Sequence, residues 1–421
     1  MKNRILFCAV LFYASSAVLA GDGSPLTSRG VGAFSSFAGS WSAGMGNSGL
    51  ALSGDGVLNG LNPATWVGLE NAQFSGAYDF SGVNSRDNTN GLTSYYANGN
   101  FGGGIFALPI GRSLGISLAA GFTPYTSYEF KINTPYDSTP GIPAYNYGST
   151  GSGGLGEGFV GFSLSPAPGV NLGGIFQFAF GRTETESTID FTGSGYTNSY
   201  SNNSTYMNGT SGTIGILLDS LDKLTGVSSL KGFSIGGYYK FPYHLRGNAV
   251  LQNLYEDSLY SPSSQPVSGY IPAEFGIGIA KKFSQSFVAA LDVRSQSFSK
   301  YWDTFTAAGS LKDALFLGGG IEYLQGRQIG ALYQKRIWRA GFYYQRTQFV
   351  LPTTSGANMQ VDELFATAGV DFSMSASSTI SISAQYGLRG LSSDLLLREK
   401  IFRLYFSFTM GEGWFYRPEG D

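Results

Sequence analysis

From residue 72 to residue 410 the chain repeats one unit of about ten residues, apolar side chains alternating with small or polar ones. The connections that follow are alternately short and long. In the last unit, Phe402, Leu404, Phe406, Phe408 and Met410 fall on one side, and Arg403, Ser407 and Thr409 on the other. A period of two places these sets on opposite faces of a sheet. Ile380, Ile382, Ala384 and Tyr386 alternate likewise with Thr379, Ser381, Ser383 and Gln385, and Leu114, Ile116, Leu118, Ala120 and Phe122 with Gly115, Ser117, Gly121 and Thr123.

Alternation alone also suits a soluble sandwich with one wet face. The connections argue for a different architecture. Those at 110–113, 165–170, 282–285, 324–328 and 374–377 are short and carry Gly, Pro, Ser or Asn. Between them lie long polar connections at 131–152, 184–209, 251–269, 299–312, 351–361 and 388–399. Short turns on one side and long loops on the other describe an all-β transmembrane barrel whose short side faces the periplasm. The rhythm predicts fourteen antiparallel strands, at 72–80, 94–109, 113–129, 153–165, 171–190, 208–219, 231–246, 270–282, 286–298, 313–324, 334–349, 362–373, 378–387 and 400–410. Residues 216–226 break it, and a short helix is expected there.

The N-terminus places the chain outside the cytoplasm. Lys2 and Arg4 precede an apolar run from Ile5 to Tyr13, and Ala14 to Ala20 ends in Val-Leu-Ala, so residues 1–20 read as a secretory signal cleaved after Ala20. No later stretch approaches the ~18 apolar residues of a membrane helix. The one cysteine, Cys8, lies inside the signal, so the mature chain has no thiol for a disulfide, a metal or a nucleophile. Only 13% of residues are charged, against ~25% for a usual soluble domain. A lipid-facing band accounts for the difference. Tyr78, Phe80, Tyr239, Phe241, Trp302 and Tyr323 stand near strand ends, where interfacial girdles form. The net charge of −2, with no basic patch, gives nucleic acid nothing to bind.

A barrel of this size leaves a lumen to be filled, since about eight strands already reach the limit that side chains can pack and sixteen or more leave a channel. Residues 21–71 are too few for a domain and too apolar for a solvated tail, with Phe34, Phe37, Trp41, Met45, Leu50, Leu58 and Trp66. They are expected to fold inside as a hatch. The chain thus divides into a signal (1–20), a hatch (21–71), an outer-membrane barrel (72–410) and a periplasmic tail (411–421).

GMGNSGLALSGDGVLNGLNPATWVGLENAQFSGAY, residues 44–78, resembles the start of the long-chain fatty-acid transporter (FadL/TodX-type) outer-membrane superfamily. There a Gly-rich hatch leads to an Asn-Pro-Ala motif before the first strand. Asn62, Pro63 and Ala64 match it, and Asp55 could stand for the family's acidic position. YIPAEFGIGIAKKF (270–283), LGGGIEY (317–323), RIWRAGFYY (336–344) and FRLYFSFTMGEGWF (402–415) are similar as well. Thr65-Trp66 after the motif and the tail after the last strand depart from the pattern, and the family's ligand-contact residues do not map here. The resemblance implies uptake across the outer membrane of hydrophobic small molecules, such as long-chain fatty acids or aromatic hydrocarbons. The implied surroundings are outer-membrane lipid and the barrel-assembly machinery for insertion.

Parity selects lumen-facing polar residues: Asp79, Gln177, Asp292, Arg294, Gln296, Glu322, Arg339, Tyr343, Gln345, Asp371, Gln385 and Arg403. Both signs occur, so they could pair with one another and pin the hatch. Alternatively, Arg294, Arg339 or Arg403 meets an anionic head group, since a guanidinium can grip a carboxylate with two hydrogen bonds. Pro63, too, could serve a gate or merely stop a helix and turn the chain. Enzymatic readings have little support. The single histidine, His244, sits in KFPYHLRG with no nucleophile specified beside it, and neither a metal set nor a cofactor motif is present. A PorV-like barrel, a partner in protein secretion or surface attachment, is the competing class.

Overall fold

The computed structural model describes residues 23–412, apart from 36–38, 55–56, 89–90, 112–113, 193–194, 256–257, 260–261, 330–331 and 376–377. The expected signal, Asp55, Phe37 and the tail beyond 412 lie outside the described residues.

Fourteen antiparallel strands close into a barrel. They are β1 (Ala72–Asp87), β2 (Thr93–Gly111), β3 (Ile116–Pro124, continued by Phe130–Tyr136), β4 (Tyr145–Ala167), β5 (Val170–Phe191), β6 (Ser199–Leu218) and β7 (Phe233–Lys240, continued by Tyr243–Tyr255). There follow β8 (Ser263–Ile271, continued by Glu274–Lys282), β9 (Phe287–Gln296), β10 (Ala314–Ile329), β11 (Leu332–Pro352), β12 (Asn358–Ser373), β13 (Ser378–Arg389) and β14 (Leu397–Glu412). Closure is made by β1 on β14, in register from Ala72 opposite Glu412 to Asp87 opposite Leu397. The break at 216–226 holds a one-turn helix, α2 (Leu221–Thr225), after β6 ends at Leu218; α1 (Ser40–Ala43) lies in the N-terminal segment.

The wall is inside-out relative to a soluble sheet. On β13, Ile380 and Tyr386 are exposed while Ser381, Ser383 and Gln385 are buried; on β8, Phe275, Ile277 and Ile279 are exposed. The expected girdle residues Tyr78, Phe80, Tyr239, Phe241, Trp302 and Tyr323 are all exposed. An apolar exterior around a polar interior is the pattern of a membrane barrel, not of a sandwich.

Three expected loops are corrected. Much of 131–152, 184–209 and 251–269 is strand: β4 starts at Tyr145, β5 runs to Phe191, β6 starts at Ser199, and β7 and β8 extend through Tyr255 and from Ser263. The polar Ser/Asn/Tyr-rich sequence reads as loop because neither face of these hairpins meets lipid. Backbone ladders hold them instead, as between Thr205 and Ala249 and between Thr183 and Thr205.

The wall has one break that bears on function. β2 pairs with β3 only from Gly104 to Gly111. Above that level the strands diverge, and no ladder joins them among the described residues. Side chains reach across instead, Tyr96 Oη donating to the Lys131 carbonyl (2.7 Å) and Asn98 Nδ2 to Glu129 Oε2 (2.6 Å). The cause lies in β3, which bends inward between Pro124 and Phe130. Thr126 and Ser127 pair there with Ala33 and Phe34 of the N-terminal segment. Gly154 of β4, at φ +145°, makes this possible, because a Cβ on it would lie 2.2 Å from the Thr126 carbonyl oxygen.

Candidate functional site: the lumen and its N-terminal segment

Residues 39–54 and 57–69 line the lumen in direct backbone contact with the wall, and glycines make the contact possible. A Cβ on Gly236 (β7) would stand 2.1 Å from the Leu50 carbonyl oxygen, one on Gly318 (β10) 2.3 Å from that of Gly46, and one on Gly341 (β11) 2.6 Å from the Gly46 nitrogen. Farther round, a Cβ on Gly173 (β5) would lie 2.5 Å from the Ala64 nitrogen and one on Gly215 (β6) 2.8 Å from Pro63 Cδ. The segment rests on a girdle of bare wall backbone, where any larger residue would displace it.

Polar wall residues complete the seat. Asp292 Oδ2 accepts the backbone N–H groups of Gly49 (2.7 Å) and Leu50 (3.0 Å). Thr367 Oγ1 accepts from Gly46 N (2.9 Å) and donates to the Gly44 carbonyl (3.1 Å). Gln385 Nε2 donates to the Ala43 carbonyl (2.9 Å) and to Asn47 Oδ1 (3.0 Å).

The Asn-Pro-Ala residues form a corner. Asn62 caps the 3₁₀ turn Pro63–Gly68, its Oδ1 accepting from Ala64 N (3.2 Å), while Nδ2 donates to the carbonyls of Leu50 (2.8 Å) and Ile216 (3.1 Å). Pro63 therefore starts a helical turn instead of stopping one, a position where its missing N–H costs nothing. Ala64 is fully buried, and Trp66 beyond it stacks on Phe159 (6.4 Å, 17°). Thr65-Trp66 is thus part of the packing.

All twelve residues chosen by parity lie on the inner side of the wall, but in different roles. Arg339 is closed by Glu322 (2.8 Å) and Asp371 (2.6 Å). Gln177 joins a cluster around Glu157, whose carboxylate takes Lys240 Nζ (2.6 Å), Tyr243 Oη (2.5 Å) and Gln177 Nε2 (2.8 Å). Gln296 donates to the Pro272 carbonyl at the break in β8 (2.8 Å). Arg403 Nη1 donates to Tyr343 Oη (3.0 Å).

Arg294 stands apart. It is 4% exposed, its guanidinium lies 3.7 Å above the Phe316 ring, and its Nη2 donates to the Asn47 carbonyl at 3.5 Å. Nε and Nη1 have no hydrogen-bond partner.

Arg294 borders a cavity of about 270 Å³ above the N-terminal segment. Phe34, Phe298, Phe316 and Phe349 give it apolar walls, and Asp79, Gln345, Tyr343 and Arg403 give it polar ones. It extends to Asn100, Phe101, Gly102, Pro124, Thr126 and Ser127, the two sides of the break between β2 and β3.

The route straight outward is packed. Leu26 and Val31 of the N-terminal segment and Phe298, Tyr301 and Leu311 of the β9–β10 connection form one core with wall residues Tyr243, Leu245, Val267 and Val361. Burial raises the Tyr301 phenol well above its ordinary range, and Asp303, which accepts its proton at 2.5 Å, raises it further. Ser24 Oγ donates to Glu399 Oε1 (2.7 Å), and Arg389 binds both Glu399 (2.9 Å) and Glu363 (2.6 Å).

Sequence reasoning missed Glu157, Lys240, Glu363, Arg389, Glu399 and the glycines. Parity on β4 and β7 pointed to the first two; Arg389 and Glu399 fell in a stretch expected to be loop; glycine carries no polarity signal. His244 is exposed beside Tyr270 (ring centroids 5.2 Å). Among the described residues no group of three or more His, Cys, Asp or Glu side chains could hold a metal.

The sequence pattern of one protein family, described as BamG, matches residues 1–419. The chain belongs to the BamG family. No curated protein matches it. Among solved structures, this BamG-family chain is similar to a Pseudomonas aeruginosa FadL homologue (TM-score 0.62, 12% identity, 91% of this chain and 99% of that one). It is also similar to the Ralstonia pickettii toluene transporter TbuX (TM-score 0.58, 17%, 89% and 98%) and the Pseudomonas putida toluene transporter TodX (TM-score 0.55, 16%, 89% and 98%). The BamG-family barrel thus has the FadL/TodX-type fold, and fold and family together fit a bacterial outer membrane.

Proposed function

We propose that the barrel takes up hydrophobic small molecules across the outer membrane, with residues 21–71 as its hatch. The observation that carries this is the lumen cavity reaching the break between β2 and β3, beside the exposed rings of Tyr78, Phe80 and Phe101. Lipid and lumen adjoin there without a ladder between them. A small apolar ligand needs a pocket with a few polar groups to orient it, and the phenylalanines with Arg294 supply both. Long-chain fatty acids and monoaromatic hydrocarbons fit this chemistry; toluene, one of the second class, is what TbuX and TodX are described as transporting.

The test is uptake of radiolabelled toluene and oleate by cells carrying the barrel. Gly102 lines the cavity at the break, so Gly102→Trp should abolish uptake while leaving heat-dependent gel migration unchanged. Equal uptake by wild type and this variant would sink the proposal.

The PorV-like reading, a barrel that serves as a partner of other proteins in secretion or surface attachment, is favoured by a separate observation. The outward route is packed by the Leu26–Tyr301 core, and the hatch is pressed onto wall backbone. A barrel sealed along its axis suits a scaffold as well as a channel. Uptake indistinguishable from cells lacking the barrel would support this second reading.

A further inference from the structure

At the outer end of β1 and β14 three cations stand together on the lipid side of the wall. Arg86 lies directly opposite Arg398, and Lys400, two residues nearer the membrane, lies opposite Asn84. All three are exposed, whereas Ser85 and Glu399 between them are buried toward the lumen. Alternation thus aims the cations outward, on the side of the exposed rings of Phe80, Phe402 and Phe406. The apolar outward row of β14 ends at Phe402, and Lys400 is the next outward residue, at the level of the lipid head groups.

Like charges directly opposite on a sheet repel each other. No carboxylate answers them by an ion pair among the described residues. Glu399 faces the lumen and is closed on Arg389 (2.9 Å), and Asp362, two strands away, is paired with Arg346 (3.5 Å). Asp394 of the β13–β14 connection takes the Ser393 hydroxyl, and Arg398 itself spends only its Nε, on the Gly390 carbonyl (3.3 Å). Elsewhere on the outward rim Arg182 has its own partner in Glu184.

We propose that Arg86, Arg398 and Lys400 bind the phosphate of an outer-leaflet glycolipid, lipid A, whose acyl chains lie on the apolar face below. Cross-strand neighbours stand about 4.5–5.5 Å apart at Cβ, so both guanidinium forks can meet one tetrahedral anion. A phosphate monoester carries about −1.5 to −2 charge, enough to turn the opposed pair from repulsive to bridged. The patch passes straight into a lipid-facing wall, with Tyr386 exposed opposite Phe402. Its occupant must therefore join an anion to apolar chains, which a soluble acidic peptide does not. The inference rests on the outer-membrane placement and not on transport.

The purified full-length barrel in neutral detergent tests it. Lipid A carrying its phosphates is the probe, and the same lipid stripped by a phosphatase is the control. Native mass spectrometry should show wild type retaining the phosphorylated lipid at least about tenfold better, since charge-assisted hydrogen bonds are strong. The variant Arg86→Gln/Arg398→Gln/Lys400→Gln should lose that preference. Lys223→Gln/Lys231→Gln/Lys282→Gln, which removes the same charge from exposed positions at the periplasmic end, should keep it.

Heat unfolding separates binding from folding. Without lipid, Arg86→Gln should unfold no lower than wild type, because it relieves a repulsion. Phosphorylated lipid A should raise the midpoint of wild type and not that of the Arg86/Arg398/Lys400 variant. Equal retention of both lipids by wild type, unchanged retention by that variant, an equal loss in the lysine control, or a lower lipid-free midpoint for Arg86→Gln would overturn the proposal. So would a rise in midpoint with inorganic phosphate or an oligoglutamate peptide equal to that with lipid A, which would assign the patch to free phosphate or to an acidic protein segment.

Discussion

Asp292 holds Leu50 against the inner wall of the barrel, one carboxylate oxygen accepting the amides of Leu50 (3.0 Å) and its neighbour Gly49 (2.7 Å). A wall residue of β9 thereby fixes the backbone of the N-terminal segment without touching that segment's polar side-chain atoms. Hydrogen bonds to a charged acceptor contribute about 1.5–3 kcal/mol each. Asp292→Ala should free residues 44–52, read as faster trypsin cleavage after an arginine introduced at half-buried Ser53 or as lost hydrogen-exchange protection at Leu50. Asp292→Asn, which keeps one acceptor oxygen, should give an intermediate result.

The glycine girdle makes a second prediction. Gly236→Ala sets a methyl 2.1 Å from the Leu50 carbonyl, whereas Gly158→Ala on the outward face of β4 meets nothing nearer than Phe180 at 3.9 Å. Overpacking of this kind costs about 1–3 kcal/mol. The temperature at which the folded gel band disappears should fall for Gly236→Ala and stay unchanged for Gly158→Ala.

Lys240 and Glu157 form a buried pair at 2.6 Å, the ammonium also lying 4.0 Å above the Tyr125 ring. Removing one charge strands the other, at about 3–5 kcal/mol. Lys240→Met should therefore lower the unfolding midpoint of the barrel in urea strongly. The double variant Lys240→Met with Glu157→Gln should recover part of the loss, because no isolated charge remains.

Arg294 has two nitrogens without partners beside the cavity. If it orients an anionic head group in the proposed uptake, Arg294→Met should reduce oleate uptake about tenfold and leave toluene uptake intact, a charge-assisted bond being worth roughly 1.5–3 kcal/mol. Equal loss for both ligands would assign Arg294 a packing role against Phe316 instead.

How far the sequence reached depended on whether a residue's role was written in its local pattern. Membrane strands were legible because lipid outside and polar groups inside impose period two, as on β13 and β14. Where the hairpins rise above the membrane, that contrast vanishes, so β4 before Gly153 and β6 before Asn208 looked like loop. Parity likewise placed Asp292, Arg294 and Arg339 in the lumen, since each needs only its own strand's phase.

Which of these charges was closed and which left open was beyond the sequence. Arg339 meets Asp371 and Glu322, and Arg294 meets an aromatic ring, only because the register between neighbouring strands sets these residues side by side at one height. The sequence by itself determined the barrel, its strand number and a Gly-rich segment destined for the lumen, because solvent and lipid act on each residue in turn. The tertiary structure decided the wall's break, the glycine girdle and the sealed mouth. These arise from backbones packing closely inside the barrel, as Gly236 meets Leu50 and Gly154 meets Thr126, and a glycine in a strand looks the same in sequence whether or not another chain segment lies against it.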